Sequence, residues 1–255
     1  PVDFNKNENR YNWELVYCEL YAGGKYNADD DNYAYSLGLN GLGLCATQFA
    51  SAYMDVEIVR DGYQYNLHFE KGENVGGLKK APTKKKQTGT RTHWKPDFTE
   101  IDIPEEYYCD ILRRQAVVNP NLLFVYRNEE ADGSFTEKQY LYENGIADYV
   151  QEIAGDAALT SIQNWSCQRE GQDRSDKPMY KVKLNVALTF SNRIQKIEYY
   201  HNSSWLEHGG SPEKAVKQAF VSQIDSYLRQ NGKYLKNEAK ITFADVEACL
   251  ILVSS

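Results

Sequence analysis

The sequence predicts an α+β protein of two domains, and three observations carry that prediction. Two strand-like runs, Val56 to Arg60 and Tyr63 to Phe69, are joined by Asp61-Gly62, a dipeptide that accommodates the positive φ angles of a tight hairpin. From Tyr180 to Phe190 apolar residues alternate strictly (Tyr180, Val182, Leu184, Val186, Leu188, Phe190), the pattern of a half-buried strand. Gly209-Gly210-Ser211-Pro212-Glu213 reads as a helix start, with Ser211 as N-cap and Pro212 at the first helical position.

The remaining elements follow in order. Trp13 to Tyr21 reads as a helix that ends before Gly23-Gly24, and a polar loop from Asn27 to Asn32 holds Asp29, Asp30 and Asp31. Gly38-Leu39-Asn40-Gly41-Leu42-Gly43 leads into a helix over Leu44 to Tyr53, with Leu44, Cys45, Phe49 and Ala52 on or near one face. Lys79 to Lys86 places five lysines around a proline and reads as a solvated loop. Thr88-Gly89-Thr90 opens a strand that Lys95-Pro96-Asp97 closes. Ile103 to Val118 is helical, Pro104 and Glu105-Glu106 suiting its first turn. A second hairpin pairs Leu122 to Arg127 with Phe135 to Tyr142. After Asn144-Gly145 come a short helix (Ile146 to Ile153), a run near Leu159 to Gln168, the alternating strand, a strand over Ile194 to Tyr200, and the helix from Ser211 toward Gly232. A last helix is capped by Thr242 with Val246 and Leu250 on one face, and Ile251 to Ser255 reads as a strand. The expected boundary is near Asn144, giving domains 1–143 and 144–255.

Composition narrows the function classes. The 255 residues carry a formal charge of −7, and a strongly acidic chain is a poor broad-surface DNA binder, because sequence-independent binding comes from neutralising phosphates. No apolar run reaches the roughly 18 residues of a membrane span, so a soluble, cytoplasmic protein is expected. Five widely spaced cysteines without a CxxC pair (Cys18, Cys45, Cys109, Cys167, Cys249) fit reduced, mostly buried thiols, Cys45 and Cys109 lying in the core. His68, His93, His201 and His208 form no ligand pattern, and Asp29 to Asp31 lack the spacing of a calcium loop. The chain begins at Pro1 and both its ends read as cuts through a longer protein.

Chemistry concentrates between Gly38 and Gly43. Glycines there let backbone amides point at an anion without a Cβ in the way, and a following helix adds the positive end of its dipole. The order G-x-x-G-x-G is neither the Rossmann fingerprint nor a P-loop. Lys25 follows the Gly23-Gly24 hinge, and Tyr33 lies a few residues before the glycine segment.

In this order the motifs resemble the ATPase and transducer region of the B subunits of type IIA DNA topoisomerases (the gyrase B and topoisomerase IV B type), members of the GHKL ATPases. The residues that carry the likeness are Gly23-Gly24-Lys25-Tyr26, Tyr33, Gly38 to Gly43, Thr88-Gly89-Thr90 with Trp94-Lys95-Pro96-Asp97, and the tail from Gly209 to Ser254. The resemblance implies the later part of a Bergerat-type ATPase sandwich followed by a ribosomal-protein-like βαβ transducer domain. It implies ATP and Mg2+ as cofactors and DNA and an A-type topoisomerase subunit as partners, with a parent that dimerises on ATP. Residue by residue, backbone amides of Gly38, Leu39, Asn40, Gly41, Leu42 and Gly43 would cradle phosphates and Lys25 would add charge. Tyr33 would touch the adenine side, Thr88 would hydrogen-bond near the base, and Pro1 would pack by the base pocket. The family's general base, Mg2+-binding Asn and adenine-reading Asp would precede Pro1, and its transducer lysine would follow Ser255. On that basis the chain as given has no catalytic residue or metal ligand, does not hydrolyse ATP, and is monomeric. Leu37 and Asn40 depart from the usual Gly and His. A mismatch-repair or chaperone-like GHKL ATPase, or a degenerate non-hydrolysing module, is the alternative.

Overall fold

The computed structural model describes residues 2–22, 41–98, 100, 102–172 and 174–255, which fall into two compact units divided between Ile103 and Pro104. The acidic loop, the Gly23-Gly24-Lys25-Tyr26 element, Tyr33, Leu37, Gly38, Leu39, Asn40 and Pro1 lie outside the described residues.

In the first unit a two-residue ladder, β1 (Phe4–Asn5) with β2 (Arg10–Tyr11), leads into α1 (Asn12–Cys18). Then come α2 (Gly43–Phe49), β3 (Ser51–Arg60), β4 (Tyr63–Glu70), β5 (Glu73–Asn74), β6 (Lys79–Pro82) and β7 (Gly89–Pro96). The sheet order is β5-β4-β3-β7, with β6 also paired to β4. Asp61 and Gly62 both take positive φ, 52° and 78°, so the expected hairpin forms around them. Alternation along β3 sends Met54, Val56 and Ile58 to an inner face, where they meet Leu67 and Phe69 of β4 and Trp13 and Tyr17 of α1. Helix α1 packs on α2, and α2 on β3.

Two expectations change here. The helix expected to reach Tyr53 stops at Phe49, because Ser51 already pairs with Pro96 and Tyr53 with Glu70 and Lys95. A strand bonded on both sides outcompetes the weaker helical pattern. The helix face also differs: Cys45 and Gln48 are buried, while Phe49 is exposed and Ala52 sits in the strand. The second correction concerns the lysine segment, whose first half is not a loop. Lys79 to Pro82 forms edge strand β6, with Pro82 opposite Tyr63 at its end, where a missing amide is tolerated.

The second unit starts with α3 (Glu105–Val118) and the hairpin β8 (Phe124–Glu129) and β9 (Phe135–Tyr140), followed by α4 (Ile146–Ala154). After α4 come β10 (Gln163–Gly171), β11 (Tyr180–Phe190), β12 (Lys196–His201), β13 (Ser204–Trp205), α5 (Ser211–Gln230), α6 (Phe243–Glu247) and β14 (Leu250–Ser254). The compact units and the boundary expected at Asn144 are different divisions. Ala116 and Val117 of α3 share a core with Ile146, Tyr149 and Val150 of α4, so α3 counts with the second unit.

The second sheet runs β10-β11-β14-β12-β13. β14 pairs antiparallel with β11 and parallel with β12, so β12, α5 and β14 make a βαβ crossover. Its residues Leu250, Ile251, Leu252 and Val253 are all fully buried, the continuous apolar run expected of a strand covered on both faces. Ile251 and Val253 pack toward α4, Leu250 and Leu252 toward α5 and α6.

Four further expectations are corrected. Leu250 opens β14 rather than closing a helix, and α6 ends at Glu247 after its start is fixed by Thr242 N–H donating to Asp245 Oδ2 at 2.8 Å. Gly210, at φ 73°, takes the N-cap position of α5 and Ser211 is already helical. The alternation of β11 reports burial only in its second half; from Tyr180 to Asn185 both faces are exposed, because its partner β10 is exposed there too. Of the cysteines, Cys45 and Cys109 are buried as expected, Cys249 is half-buried, and Cys18 and Cys167 are exposed. All five thiols are free.

Candidate nucleotide site

The described part of the glycine segment is a turn feeding a helix. Gly41 takes φ 61°, the left-handed region that favours glycine, and Leu42 follows at φ −104°, ψ −38°. Gly43 is the first helical residue, and a Cβ placed on it would meet open space. Gly41 and Gly43 are both exposed, and no side chain among the described residues caps α2. The helix is fastened further along: Thr47 Oγ1 donates to the Gly43 carbonyl at 2.8 Å, Ser51 Oγ to the Thr47 carbonyl at 2.6 Å. Burial pushes the Cys45 thiol pKa up, so this residue acts as core.

Thr88 is exposed, one residue before β7, beside a shallow groove formed by Glu57, Val59 and Lys85 to Arg91. It does not lie against Gly43. Asp97 N–H donates to the Ala50 carbonyl at 2.9 Å, so the C-terminal end of α2 sits at the far end of β7 from Thr88. Eight strand residues span about 26 Å and a seven-residue helix about 10 Å, which leaves the two groups more than about 10 Å apart. They could contact opposite ends of one extended ligand, not the same atom. The strand between them carries Thr90 and Thr92 opposite Ile58 and Val56 on the inner face, with Trp94 half-exposed beside Met54.

Two features escaped the sequence reading. Gln48 is 1% exposed, and neither its Nε2 nor its Oε1 has a hydrogen-bond partner among the described residues. Nothing in the sequence marks it. On the sheet's other face, His68 bridges two carboxylates, Nδ1 2.7 Å from Asp55 and Nε2 3.1 Å from Glu70. The Asp55 bond first, and then Glu70, raise its pKa. The hairpin register contained that signal. Among the described residues no cluster of three or more His, Cys, Asp or Glu could hold a metal, and no helix is long and apolar enough to cross a membrane.

The whole chain superposes on the 43K ATPase domain of Thermus thermophilus gyrase B with a TM-score of 0.67 at 20% identity, covering 100% of this chain and 63% of that one. It superposes on the ATP-binding domain of Francisella tularensis topoisomerase IV with a TM-score of 0.66 at 22% identity, covering 100% and 64%. The fold is thus that of the GHKL-type ATPase regions of type II topoisomerases. Residues 145–255 match the DNA gyrase B family. The chain is 35% identical to the B subunit of DNA topoisomerase 4 from Escherichia coli (strain K12) over 156 residues, 60% of this chain and 24% of that protein. It is 27% identical to the B subunit of DNA gyrase from Mycoplasmoides gallisepticum along its whole length, 40% of that protein. The chain is similar to the gyrase and topoisomerase IV B subunits, and it spans between about a quarter and two-fifths of the length of these curated proteins.

Proposed function

We propose that this chain is part of the ATP-binding and transducer region of a type IIA topoisomerase B subunit, in which ATP closes a dimer and drives DNA strand passage with an A-type subunit. Residues 1–143 are read as the later part of the ATPase domain and 144–255 as the transducer. The observation that carries the reading is the Gly41-Leu42-Gly43 turn at the start of α2, with both glycines exposed, on a helix-backed sheet whose β7 opens with Gly89-Thr90 directly after Thr88. Open space at Gly43 fits close approach of an anion to main-chain amides. ATP with Mg2+ would supply the energy of phosphoryl transfer. On the resemblance, Gly38 to Gly43 and Lys25 would hold its phosphates, Tyr33 and Pro1 would serve the base side, and Thr88 would hydrogen-bond near the base. The match of residues 145–255 to the gyrase B family favours this reading over a mismatch-repair or chaperone-like ATPase.

The test is calorimetric titration of the full chain with a non-hydrolysable ATP analogue and Mg2+, with inorganic tripolyphosphate and adenosine as competitors. Saturable binding displaced by tripolyphosphate and not by adenosine is expected, with steady-state ATP turnover at background. Absence of any binding would overturn the nucleotide assignment, and turnover above background would overturn the inactive state of the 255-residue chain.

A further inference from the structure

The acidic net charge hides a sharp segregation. Residues 74–96 contain seven of the 29 Lys and Arg residues (Lys79, Lys80, Lys84, Lys85, Lys86, Arg91, Lys95) and none of the 36 Asp and Glu. Since the whole chain is −7, the other 232 residues carry −7 − 7 = −14. The fold puts most of the basic segment on one surface, Lys80 lying instead over the Tyr63 and Tyr65 rings of the other face. Residues paired directly across an antiparallel ladder share a face. The register therefore puts Lys79, Asn66, Glu57 and Arg91 in one row on the outer face of the first sheet, His68, Asp55 and His93 in the next, and Glu70, Tyr53 and Lys95 in the third. Residues 83–88 form a strap that crosses this face. It begins where Thr83 N–H donates to the Gly62 carbonyl at 2.9 Å and is pinned midway by Lys85 Nζ, 2.8 Å from Glu57 Oε1.

Three of the carboxylates on this face are already engaged, while Glu73, opposite Glu70, makes no ion pair among the described residues. Asp55 and Glu70 bond His68, and Glu57 bonds Lys85 and Gln64. Lys79, Lys84, Lys86, Arg91 and Lys95 are exposed and make no ion pair among the described residues. Lys79 and Arg91 line a concavity of about 510 Å³ with Asp55, Asn66, His68 and His93. Lys95 stands in the third row, Lys86 lines a groove with Glu57, and Lys84 is carried on the strap. Four strands spaced by about 4.8 Å make a face about 14 Å wide, and ten residues of β3 make it about 33 Å long. Those dimensions suit a rod carrying one charge per about 1.7 Å of its axis. A compact anion would occupy only a corner.

We propose that the outer face of the first sheet, together with the strap from Thr83 to Thr88, forms a docking surface for the phosphate backbone of duplex DNA, read without sequence preference. The partner's identity as DNA rests on the topoisomerase reading above; the surface does not depend on the nucleotide site.

The experiment is a fluorescence-anisotropy titration of a labelled 20-base-pair duplex with the full chain over a series of KCl concentrations. Weak binding with a steep salt dependence is expected. The triple variant Lys84→Gln/Lys86→Gln/Arg91→Gln should lose at least tenfold in affinity at low salt and lower the log–log salt slope by about 2 to 3, at roughly 0.9 per phosphate contact. The control Lys233→Gln/Lys236→Gln, exposed lysines of the second unit, should bind as the parent chain does. Should the triple variant not fold, the single reversal Lys86→Glu is read in its place, expected to weaken binding severalfold. Unchanged affinity in these variants, or equal loss in the control, overturns the proposal. So does displacement of the duplex by polyglutamate at equal charge concentration, which would mark an acidic-protein surface. The tripolyphosphate competition is repeated on the triple variant: its persistence alongside lost DNA binding separates the two sites, and its failure in every variant would sink the nucleotide reading alone.

Discussion

Asp55 Oδ1 and His68 Nδ1 stand 2.7 Å apart because the Asp61-Gly62 turn pairs β3 with β4 so that those two residues face each other across the ladder. Glu70 closes the other side of the imidazole at 3.1 Å. Both carboxylates favour the charged ring, so the folded-state pKa of His68 lies above the value near 6.5 of an unfolded chain. A raised folded pKa means stability that is fully present below the unfolded pKa and is lost as pH rises through the folded one. His68→Gln should therefore lower Tm more at pH 6 than at pH 9. Thermal melts of both proteins across that range check it, and a gap that is constant or widens with pH would count against the arrangement.

That pairing was open to the sequence. Once the turn is placed at residues 61 and 62, every pair whose numbers sum to 123 is opposed, including Asp55 with His68 and Glu57 with Asn66. The first hairpin, α3, α4 and β14 follow from local periodicity and turn chemistry in the same way. What escaped was non-local. Helix α2 yields Ser51 to Tyr53 to a strand because β7, some forty residues further on, bonds β3 on its second side. Leu250 leaves α6 because β11 and β12 both claim it or its neighbours. The alternation of β11 could not say where covering helices end, since periodicity reports a face and not its partner. Gln48 was illegible for the same reason: its burial depends on how α2 packs against α1 and β3. Of the candidate site, Gly41, Leu42, Gly43 and Thr88 could be placed, while the roles of all the named residues stay at the level of the resemblance.

Gln48 makes its own prediction. A buried amide whose two polar atoms have no partner among the described residues forgoes the hydrogen bonds water would supply, at a cost of about 1 to 3 kcal/mol. Methionine has nearly the same shape and no such cost. Gln48→Met should raise the unfolding free energy by an amount within that range, read from the urea midpoint at constant slope. A fall would show that the amide has partners in solution.

The two halves of the second sheet should respond very differently to truncation. Leu252 is fully buried in β14, flanked by Leu188 and Ile197 and packed with Tyr199 and Val246. Removing its branched end leaves a cavity the flanking strands cannot close, and Leu252→Ala should cost about 3 kcal/mol. Leu184, 40% exposed on the outer half of β11, has little to lose, and Leu184→Ala should stay within about 1 kcal/mol of the parent chain. Denaturant unfolding of the pair measures both. Equal losses would mean that the exposed half of the ribbon is covered in solution.

The glycine turn offers the cleanest separation of folding from binding. Gly41 holds φ 61°, so Gly41→Ala forces a side chain into the left-handed region and should destabilise by about 1 kcal/mol. Gly43 is different: it is the first residue of α2, and its missing Cβ faces open space. Alanine there removes backbone freedom from the unfolded chain and favours the helix, so Gly43→Ala should be neutral or stabilising by up to about 1 kcal/mol. A phosphate seated against the Gly43 amide would nevertheless meet the added methyl. Gly43→Ala should accordingly hold or raise Tm while weakening the ATP analogue and tripolyphosphate together, at least tenfold. If both ligands bind this stabilised variant as they bind the parent chain, the amides of this turn do not hold the triphosphate, because no loss of folding remains to mask the result.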